Sequence, residues 1–328
     1  MRPFTYTSAK NKEQALQAYT KTSHYLAGGT NLVDLMKEDV ERPDQLIDVN
    51  HLDFAKITSN DKGGLTLGGM LSNSDTANNT DVRTKYPLLS MAMLSAATAQ
   101  IRNMATNGGN LLQRTRCPYF FETSMPCNKR EPGSGCGALK GMNAQHAIFG
   151  YSDSCIATNP SDMCVALAAL GATVEVQKPD GSTRMIEFTD FHRLPGDEPE
   201  KDNNLMPGEL ITAIHLAKPE FSDKYYYLKI RERSSYAFAL ISVAAGLQVK
   251  SGMITKAGLA MGGVAHKPWK LTKAEEFLIG KKPSKENFEA AAKLALKDAK
   301  PFEANKYKVE MGENAIVRAL TQANDREA

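Results

Sequence analysis

The 328-residue chain lacks the features that assign a protein to a specialised class. Its longest apolar stretch, Tyr236–Val249, is interrupted by Ser242 and is too short to cross a bilayer. Its first residues, Met1–Thr7, contain no apolar run, so we expect no secretory signal. The formal net charge of +3 is too small to indicate a nucleic-acid partner. What remains is a globular protein of roughly two domains, either cytoplasmic or exported with a signal-bearing partner.

Cysteine is scarce, and its placement is uneven. The chain has five cysteines, an odd number that disulfide pairing alone would leave incomplete. Cys164 lies in an apolar helical segment and is interpreted as a core residue. Between the other four cysteines lie nine, eight and eighteen residues, in chain order. This spacing matches neither a compact ferredoxin run nor the paired C-x-x-C of a zinc site. The spacing alone is compatible with three interpretations: the four cysteines bind an iron–sulfur cluster, bind a zinc ion, or are free thiols. They are Cys117, Cys127, Cys136 and Cys155.

Hydrophobic periodicity predicts an α+β fold with two domains. The pattern changes near residue 220 and divides the chain into 1–220 and 221–328. The first domain is interpreted as two lobes, about 1–55 and 56–220, with the cysteine-rich loop over about 114–156. A loop of that length without periodicity is uncommon unless it is functional or is held by a bound group.

A few element predictions bear most on the fold. One long helix is predicted over 87–101, and a shorter one over Met163–Leu170 that ends at Gly171. A hairpin is predicted over 173–188. The second domain is predicted to contain three helices after three long antiparallel strands, at 225–231, 238–249 and 254–261.

The segment Leu26–Leu32 reads Leu-Ala-Gly-Gly-Thr-Asn-Leu and lies between a predicted strand and a predicted helix. Gly28 and Gly29 allow the backbone to approach a ligand closely, and the amides that follow suit a phosphate group. The start of the helix adds its dipole. A tight strand-to-helix turn without a ligand explains the segment equally well, and the dinucleotide-binding pattern G-x-G-x-x-G is not present in it.

Three further positions carry polar groups that suit a ligand, and each has a simpler explanation. Gln100–Leu111 is a helix followed by a glycine-bearing loop, which is also an ordinary helix end. Asp162 is either a helix cap or an acceptor for sugar hydroxyls. Lys229 lies on a basic strand face that is either solvated or close to a redox cofactor. His146 and His266 are interpreted as structural residues, and no Ser–His–Asp arrangement is evident.

The chain resembles the FAD-binding medium subunits of the molybdenum hydroxylases, the family of xanthine dehydrogenase, aldehyde oxidase and carbon monoxide dehydrogenase. The resemblance spans about residues 1–325 and implies a two-lobed FAD-binding domain of PCMH type followed by a C-terminal α+β domain. It rests on four segments that occur in the family's order and at similar separations: Leu26–Leu32, Arg102–Leu111, Pro160–Asp162 and Lys229–Phe238.

The resemblance also implies which positions bind FAD, and it implies no catalytic residue on this chain. Asp162 would bind FAD hydroxyls, and Lys229 would lie near the isoalloxazine ring. The flavin side would contact Thr106, Gly108, Gly109 and Asn110. The pyrophosphate would contact Leu26, Ala27, Gly28, Gly29, Thr30, Asn31, Leu32, Val33 and Asp34.

Most family members lack the cysteine-rich insert. Leu111–Phe120 and Pro126–Arg130 resemble the insert of bacterial periplasmic aldehyde oxidoreductases and, more loosely, that of 4-hydroxybenzoyl-CoA reductase. In those proteins the insert holds one [4Fe–4S] cluster, so the resemblance implies a cluster bound by Cys117, Cys127, Cys136 and Cys155. Aldehyde would be oxidised on a molybdopterin-binding large subunit. Electrons would then pass through [2Fe–2S] clusters of a small subunit to the FAD of this chain, and on to an external acceptor.

Three alternatives stay open, one within the family and two from other classes of protein. The first is the FAD subunit of another molybdenum hydroxylase, of the xanthine dehydrogenase or hydroxybenzoyl-CoA reductase type. The second is a stand-alone FAD oxidase, for which the sequence shows neither a catalytic base beside the flavin nor an inserted substrate domain. The third is a zinc-stapled binding protein without redox activity. Sequence also leaves open whether the cluster relays electrons or only pins the loop.

Overall fold

The structure, a computed structural model, describes residues 1–326 and contains three β-sheets. The first lobe is a parallel sheet in the order β1-β3-β2 with a helix in each crossover. Asn11 begins its first helix by accepting a hydrogen bond from the Gln14 N–H at 2.9 Å. The elements are β1 (Thr5–Ser8), α1 (Lys12–Ala18), β2 (Ser23–Leu26), α2 (Leu32–Lys37) and β3 (Gln45–Asp48).

The second lobe joins an antiparallel sheet to a layer of short helices. Its five strands have the order β4-β5-β8-β6-β7. The strands are β4 (Ile57–Ser59), β5 (Leu65–Gly68), β6 (Thr173–Gln177), β7 (Thr183–Glu187) and β8 (Leu210–Leu216). The helices are α3 (Asn73–Asn78), α4 (Thr80–Lys85), α5 (Pro87–Ser95), α6 (Ala99–Met104), α7 (Asn107–Leu111), α8 (Pro118–Phe121), α9 (Asp162–Leu170) and α10 (Phe188–Phe191).

The C-terminal part is an antiparallel sheet covered on one face by helices. Its strands have the order β12-β11-β10-β9. Alternating apolar residues of β10 and β11 face the helices and form one core with them. The elements are β9 (Lys224–Ile230), β10 (Ile241–Lys250), β11 (Met253–Gly262), β12 (Trp269–Lys270), α11 (Thr272–Leu278), α12 (Lys285–Leu296) and α13 (Tyr307–Asn324), with a 3₁₀ turn at Glu303–Asn305.

The two parts share a hydrophobic core. Helix α9 is buried along almost its whole length, and its apolar residues pack with Ala244 of β10 and Ala260 of β11. Tyr227 of β9 belongs to the same core. The predicted α+β class is confirmed, as are the hairpin β6–β7, the three long strands β9 to β11, and the end of α9 at Gly171, where φ is 65°. The fourth strand, β12, has only two residues and was not predicted.

The single long helix predicted over 87–101 is wrong. The chain forms α5 and α6 with a break between them, because Ala97 adopts a φ of 48°. The Thr98 hydroxyl then accepts a hydrogen bond from the Ile101 N–H at 3.3 Å and starts a new helix. The end of α6 packs against the β2–α2 turn, beside a large cavity.

No helix within residues 1–326 is both long enough and apolar enough to span a bilayer.

Candidate functional site

A cleft of about 890 Å³ lies between the β2–α2 turn, the start of α7 and the loop that precedes β8. We call it the nucleotide cleft. Its size is in the range of cofactor pockets. It is lined on one side by Leu26–Leu32, on a second by Thr106, Gly109 and Leu112, and on a third by Arg114, Arg193 and Glu200–Glu209.

The β2–α2 turn presents hydrogen-bond donors that the rest of the chain does not use. The backbone N–H groups of Thr30, Asn31 and Leu32 donate no hydrogen bond to a residue within 1–326. The side-chain Nδ2 of Asn31 is buried and also has no partner among those residues. Buried donors without acceptors are rare in proteins. Asn31 Nδ2 is such a donor, whereas the three amides beside it are exposed or half-buried and stand at a helix start, where unpaired N–H groups are usual. Together these donors line a cavity and suit an anionic ligand such as a pyrophosphate.

The two predicted ligand-binding turns touch each other at Gly28. A Cβ atom placed on Gly28 would lie 1.8 Å from the carbonyl oxygen of Met104. Only glycine therefore allows the β2–α2 turn to pack on the end of α6. Gly29 has a φ of 70°, a conformation that also favours glycine. The cleft depends on this close backbone approach.

Hydrogen bonds of the Asn107 side chain hold the turn at 106–110 in place. The Asn107 side chain is fully buried; its Nδ2 donates to the Gly68 carbonyl at 3.1 Å, and its Oδ1 accepts from Thr76 at 3.1 Å. Thr106 caps α7 by accepting from the Gly109 N–H at 3.1 Å. The turn is therefore held rigidly, with Thr106 and Gly109 on the surface of the cleft.

A second cavity, of about 280 Å³, is lined by Thr115–Pro118, Gln145, His146 and Thr158–Asp162, together with residues of the β9–β10 loop and β11. We call it the Asp162 pocket. The Asp162 carboxylate accepts from Lys229 Nζ and from the Tyr227 hydroxyl, each at 2.7 Å. Burial raises the pKa of Asp162, and the Lys229 ammonium opposes that rise. The buried ion pair fastens α9 to β9, so the charge of Lys229 is already balanced within the chain.

The four predicted ligand cysteines surround one small cavity, the cysteine cavity, although up to 38 positions separate them in the sequence. Cys127 and Cys136 are neighbours because their backbones form a β-bridge. Asn128 closes the intervening turn by accepting from the N–H groups of Gly133 at 3.1 Å and Gly135 at 2.7 Å. Both glycines have positive φ values, which explains the glycine-rich sequence of the insert.

Two of these thiols, the half-buried Cys117 and the buried Cys155, lie beside groups that can donate hydrogen bonds. Burial raises the pKa of Cys117 to about 12 and that of Cys155 to about 11, while the Lys129 ammonium acts to lower the Cys155 value. His146 Nε2 lies 3.1 Å from Cys117 Sγ, and the Ala157 N–H lies 3.5 Å from Cys155 Sγ. Such thiols ionise when a metal supplies the compensating positive charge.

The cysteine loop is anchored by a buried charge network. The side chain of Lys129 is 1% exposed and donates to Asp202 Oδ1 and to the Pro199 carbonyl, each at 2.6 Å. Arg114 donates to Asp202 Oδ2 at 2.7 Å and also pairs with Glu41. Burial acts to raise the pKa of Asp202, but the charges of Lys129 and Arg114 outweigh it and hold the pKa below its usual range. The network connects the cysteine cavity to the wall of the nucleotide cleft.

Comparison with known proteins identifies the family. Residues 2–219 match the family model described as "FAD binding domain in molybdopterin dehydrogenase", and residues 226–323 match the "CO dehydrogenase flavoprotein C-terminal domain". The chain belongs to the FAD-binding medium subunits of the molybdenum hydroxylases. The predicted family is therefore confirmed, and its members are oxidoreductase subunits.

Two curated proteins are similar to this medium subunit in sequence, and a solved structure is similar to it in fold. It is 45% identical to the aldehyde oxidoreductase FAD-binding subunit PaoB of Escherichia coli (strain K12), over 98% of this chain and 99% of that one. It is 28% identical to the glyceraldehyde dehydrogenase medium chain of Sulfolobus acidocaldarius, over 85% and 82%. Carbon monoxide dehydrogenase from Hydrogenophaga pseudoflava has the same fold, with a TM-score of 0.77 at 23% identity, over 100% of this chain and 99% of that one.

The structure of the medium subunit brings most of the predicted FAD contacts to a cavity, and their roles stay predictions. Leu26–Leu32, Thr106 and Gly109 line the nucleotide cleft, and Asp162 lines the second pocket. Lys229 lies beside Asp162 as its ion-pair partner. The remaining four predicted residues line neither cavity: Val33 and Asp34 lie in α2, and Gly108 and Asn110 are buried within α7.

Sequence reasoning missed several residues that shape the site. Asn107 holds the second turn, and Arg114 and Lys129 anchor the cysteine loop. His146 was interpreted as a structural residue; it is buried, and it also contacts a predicted metal ligand. The motif Asn107-Gly108-Gly109 was visible, but the long-range partners of Arg114, Lys129 and His146 have no sequence signal.

Proposed function

We propose that this chain is the FAD-binding electron-transfer subunit of a molybdenum-dependent aldehyde oxidoreductase. Its 45% identity to an aldehyde oxidoreductase FAD-binding subunit, over nearly the whole of both chains, carries the proposal. The xanthine dehydrogenase FAD-binding subunit of E. coli O157:H7 is 23% identical, which favours the aldehyde class. The medium-subunit family supports two partners, a molybdopterin-binding large subunit and a [2Fe–2S] small subunit.

The residues of the nucleotide cleft fit FAD. The unpaired amides of the β2–α2 turn and Asn31 Nδ2 would hold the pyrophosphate, and Thr106 and Gly109 would face the flavin side. Asp162 accepts one hydrogen bond on each oxygen, from Lys229 and from Tyr227, and the second lone pair of each oxygen would accept from an FAD hydroxyl. FAD supplies one- and two-electron redox chemistry when bound. The chain's own task is to bind it, orient it and tune its potential.

We further propose that the cysteine cavity holds a [4Fe–4S] cluster. Four thiols around one cavity form the usual ligand set of such a cluster. A single zinc ion is less well supported. Zinc would draw four sulfurs to within about 3.8 Å of one another, as its tetrahedral geometry and bond lengths require. No group of three or more metal-binding side chains in residues 1–326 is arranged to hold one ion.

The test of the redox assignment is anaerobic reduction of the complete complex by an aldehyde. We expect the flavin absorption to bleach when aldehyde is added to the assembled three-subunit enzyme, since electrons reach FAD from the molybdenum subunit. The FAD-loaded medium subunit alone is expected to stay oxidised under the same conditions, because the proposal places aldehyde oxidation on the molybdopterin-binding large subunit. Bleaching of the isolated subunit by aldehyde, or none in the active complex, would contradict the proposal.

A further inference from the structure

Cys117 lies in the wall between two cavities. Together with Thr115 it lines both the cysteine cavity and the Asp162 pocket. Cys127, Cys136 and Cys155 line only the cysteine cavity. Cys117 is therefore the cysteine that separates the predicted cluster from the Asp162 pocket.

His146 approaches Cys117 from the Asp162 pocket. The imidazole is 4% exposed, and its Nε2 lies 3.1 Å from Cys117 Sγ. Its Nδ1 has no hydrogen-bond partner within residues 1–326, so the Cys117 sulfur is the ring's hydrogen-bond partner among those residues. A cysteine sulfur that binds a metal has lost its proton and can only accept a hydrogen bond. Nε2 of His146 is therefore the donor once Cys117 is a metal ligand.

The C-terminal part of the chain holds His146 in place. Lys308, at the start of α13, is fully buried and donates to the carbonyls of His146 at 2.9 Å and Gly263 at 2.7 Å. Asn305 donates to the same His146 carbonyl at 3.2 Å. Burying a lysine ammonium costs free energy, which its hydrogen bonds to backbone carbonyls offset. These bonds fix the segment that carries the imidazole.

We propose that His146 is a positioning residue that tunes the cysteine-bound group on the side of the Asp162 pocket, through an Nε2–H hydrogen bond to the Cys117 sulfur. The inference rests on the proposed [4Fe–4S] cluster. Hydrogen bonds to ligand sulfurs are one of the means by which proteins set cluster potentials. The donor stabilises the reduced, more negative form, so its presence raises the reduction potential.

The test compares three variants of the complete complex: His146→Phe removes the donor, His146→Gln keeps an N–H donor, and Gln145→Ala changes the neighbouring residue without touching the sulfur. Iron, acid-labile sulfide and FAD are measured first, and the cluster potential is then measured by an EPR-monitored titration. We expect His146→Phe to lower the reduced-to-oxidised ratio about tenfold at a fixed potential, about 59 mV for one electron. His146→Gln should recover part of the shift, and Gln145→Ala should show none.

Three outcomes separate the claims. A wild-type complex with FAD but no iron contradicts the cluster proposal itself. An iron-loaded His146→Phe enzyme with the wild-type potential contradicts the role of His146 alone. If His146→Phe loses its iron, pulsed EPR of the reduced wild type labelled with ¹⁵N-histidine decides, since the hydrogen bond predicts a ¹⁵N coupling and its absence contradicts the bond.

Discussion

Gly28→Ala is expected to lower the affinity for FAD by about a hundredfold, so that the variant is purified nearly free of flavin. The new Cβ would lie 1.8 Å from the Met104 carbonyl oxygen, a backbone atom that cannot rotate away as a side chain could. The β2–α2 turn must shift by about an ångström, and a displacement of that size typically costs two orders of magnitude in a preorganised site. FAD content and FAD titration of the apoprotein provide the measurement.

The matched control is Gly63→Asn. Gly63 also has a positive φ, 73°, but a Cβ there meets no atom within 4 Å, and asparagine tolerates this conformation. It should bind FAD as the wild type does. Far-UV circular dichroism should show that Gly28→Ala keeps its secondary structure. A folded Gly28→Ala protein with wild-type FAD content would show that the two turns do not form the pyrophosphate site.

Cys127→Ser is expected to abolish the cluster and to leave the flavin in place. Loss of one of four thiolate ligands removes a bond that a serine hydroxyl does not replace at neutral pH. Iron should fall from about four atoms per chain to nearly none. The broad visible absorption of iron–thiolate charge transfer should disappear with it, while the flavin bands persist because Cys127 does not line the nucleotide cleft.

The fifth cysteine supplies the control for this experiment. Cys164 is fully buried in α9 and lies outside the cysteine cavity, so Cys164→Ala should keep both iron and FAD. Iron retained at the wild-type level in Cys127→Ser would contradict the ligand assignment. Stoichiometric zinc with no iron in the wild type would favour the zinc-stapled alternative instead.

Local signals in the sequence predicted much of the fold. Helix α9 ends at Gly171 as predicted, although its cap is Ser161 and not Asp162, and Pro179-Asp180-Gly181 marks the turn between β6 and β7. The failure at 87–101 has a local cause of another kind: alanine at position 97 adopts a left-handed conformation that its propensity does not favour. Short strands such as β12 are missed because two residues show no periodicity.

The candidate site was predictable only where a motif is contiguous in sequence. Leu26–Leu32 and the turn at 106–110 carry glycines whose purpose can be reasoned from backbone chemistry alone. Two contacts of the site join residues that are far apart in the chain: Asp162 with Lys229, and His146 with Cys117. The sequence around each residue gives no signal of its partner. These contacts decide which charges are balanced and which sulfur receives a hydrogen bond, so they required the structure.

The flavin content of the native protein tests the central claim most directly. The chain should be purified from its own complex without added cofactor, denatured, and its released flavin identified and quantified. The account predicts about one FAD per chain, because the unpaired donors at Thr30–Leu32 and the cleft around them are built for a dinucleotide pyrophosphate. A correctly folded, assembled protein that releases no flavin, or only FMN, would contradict it.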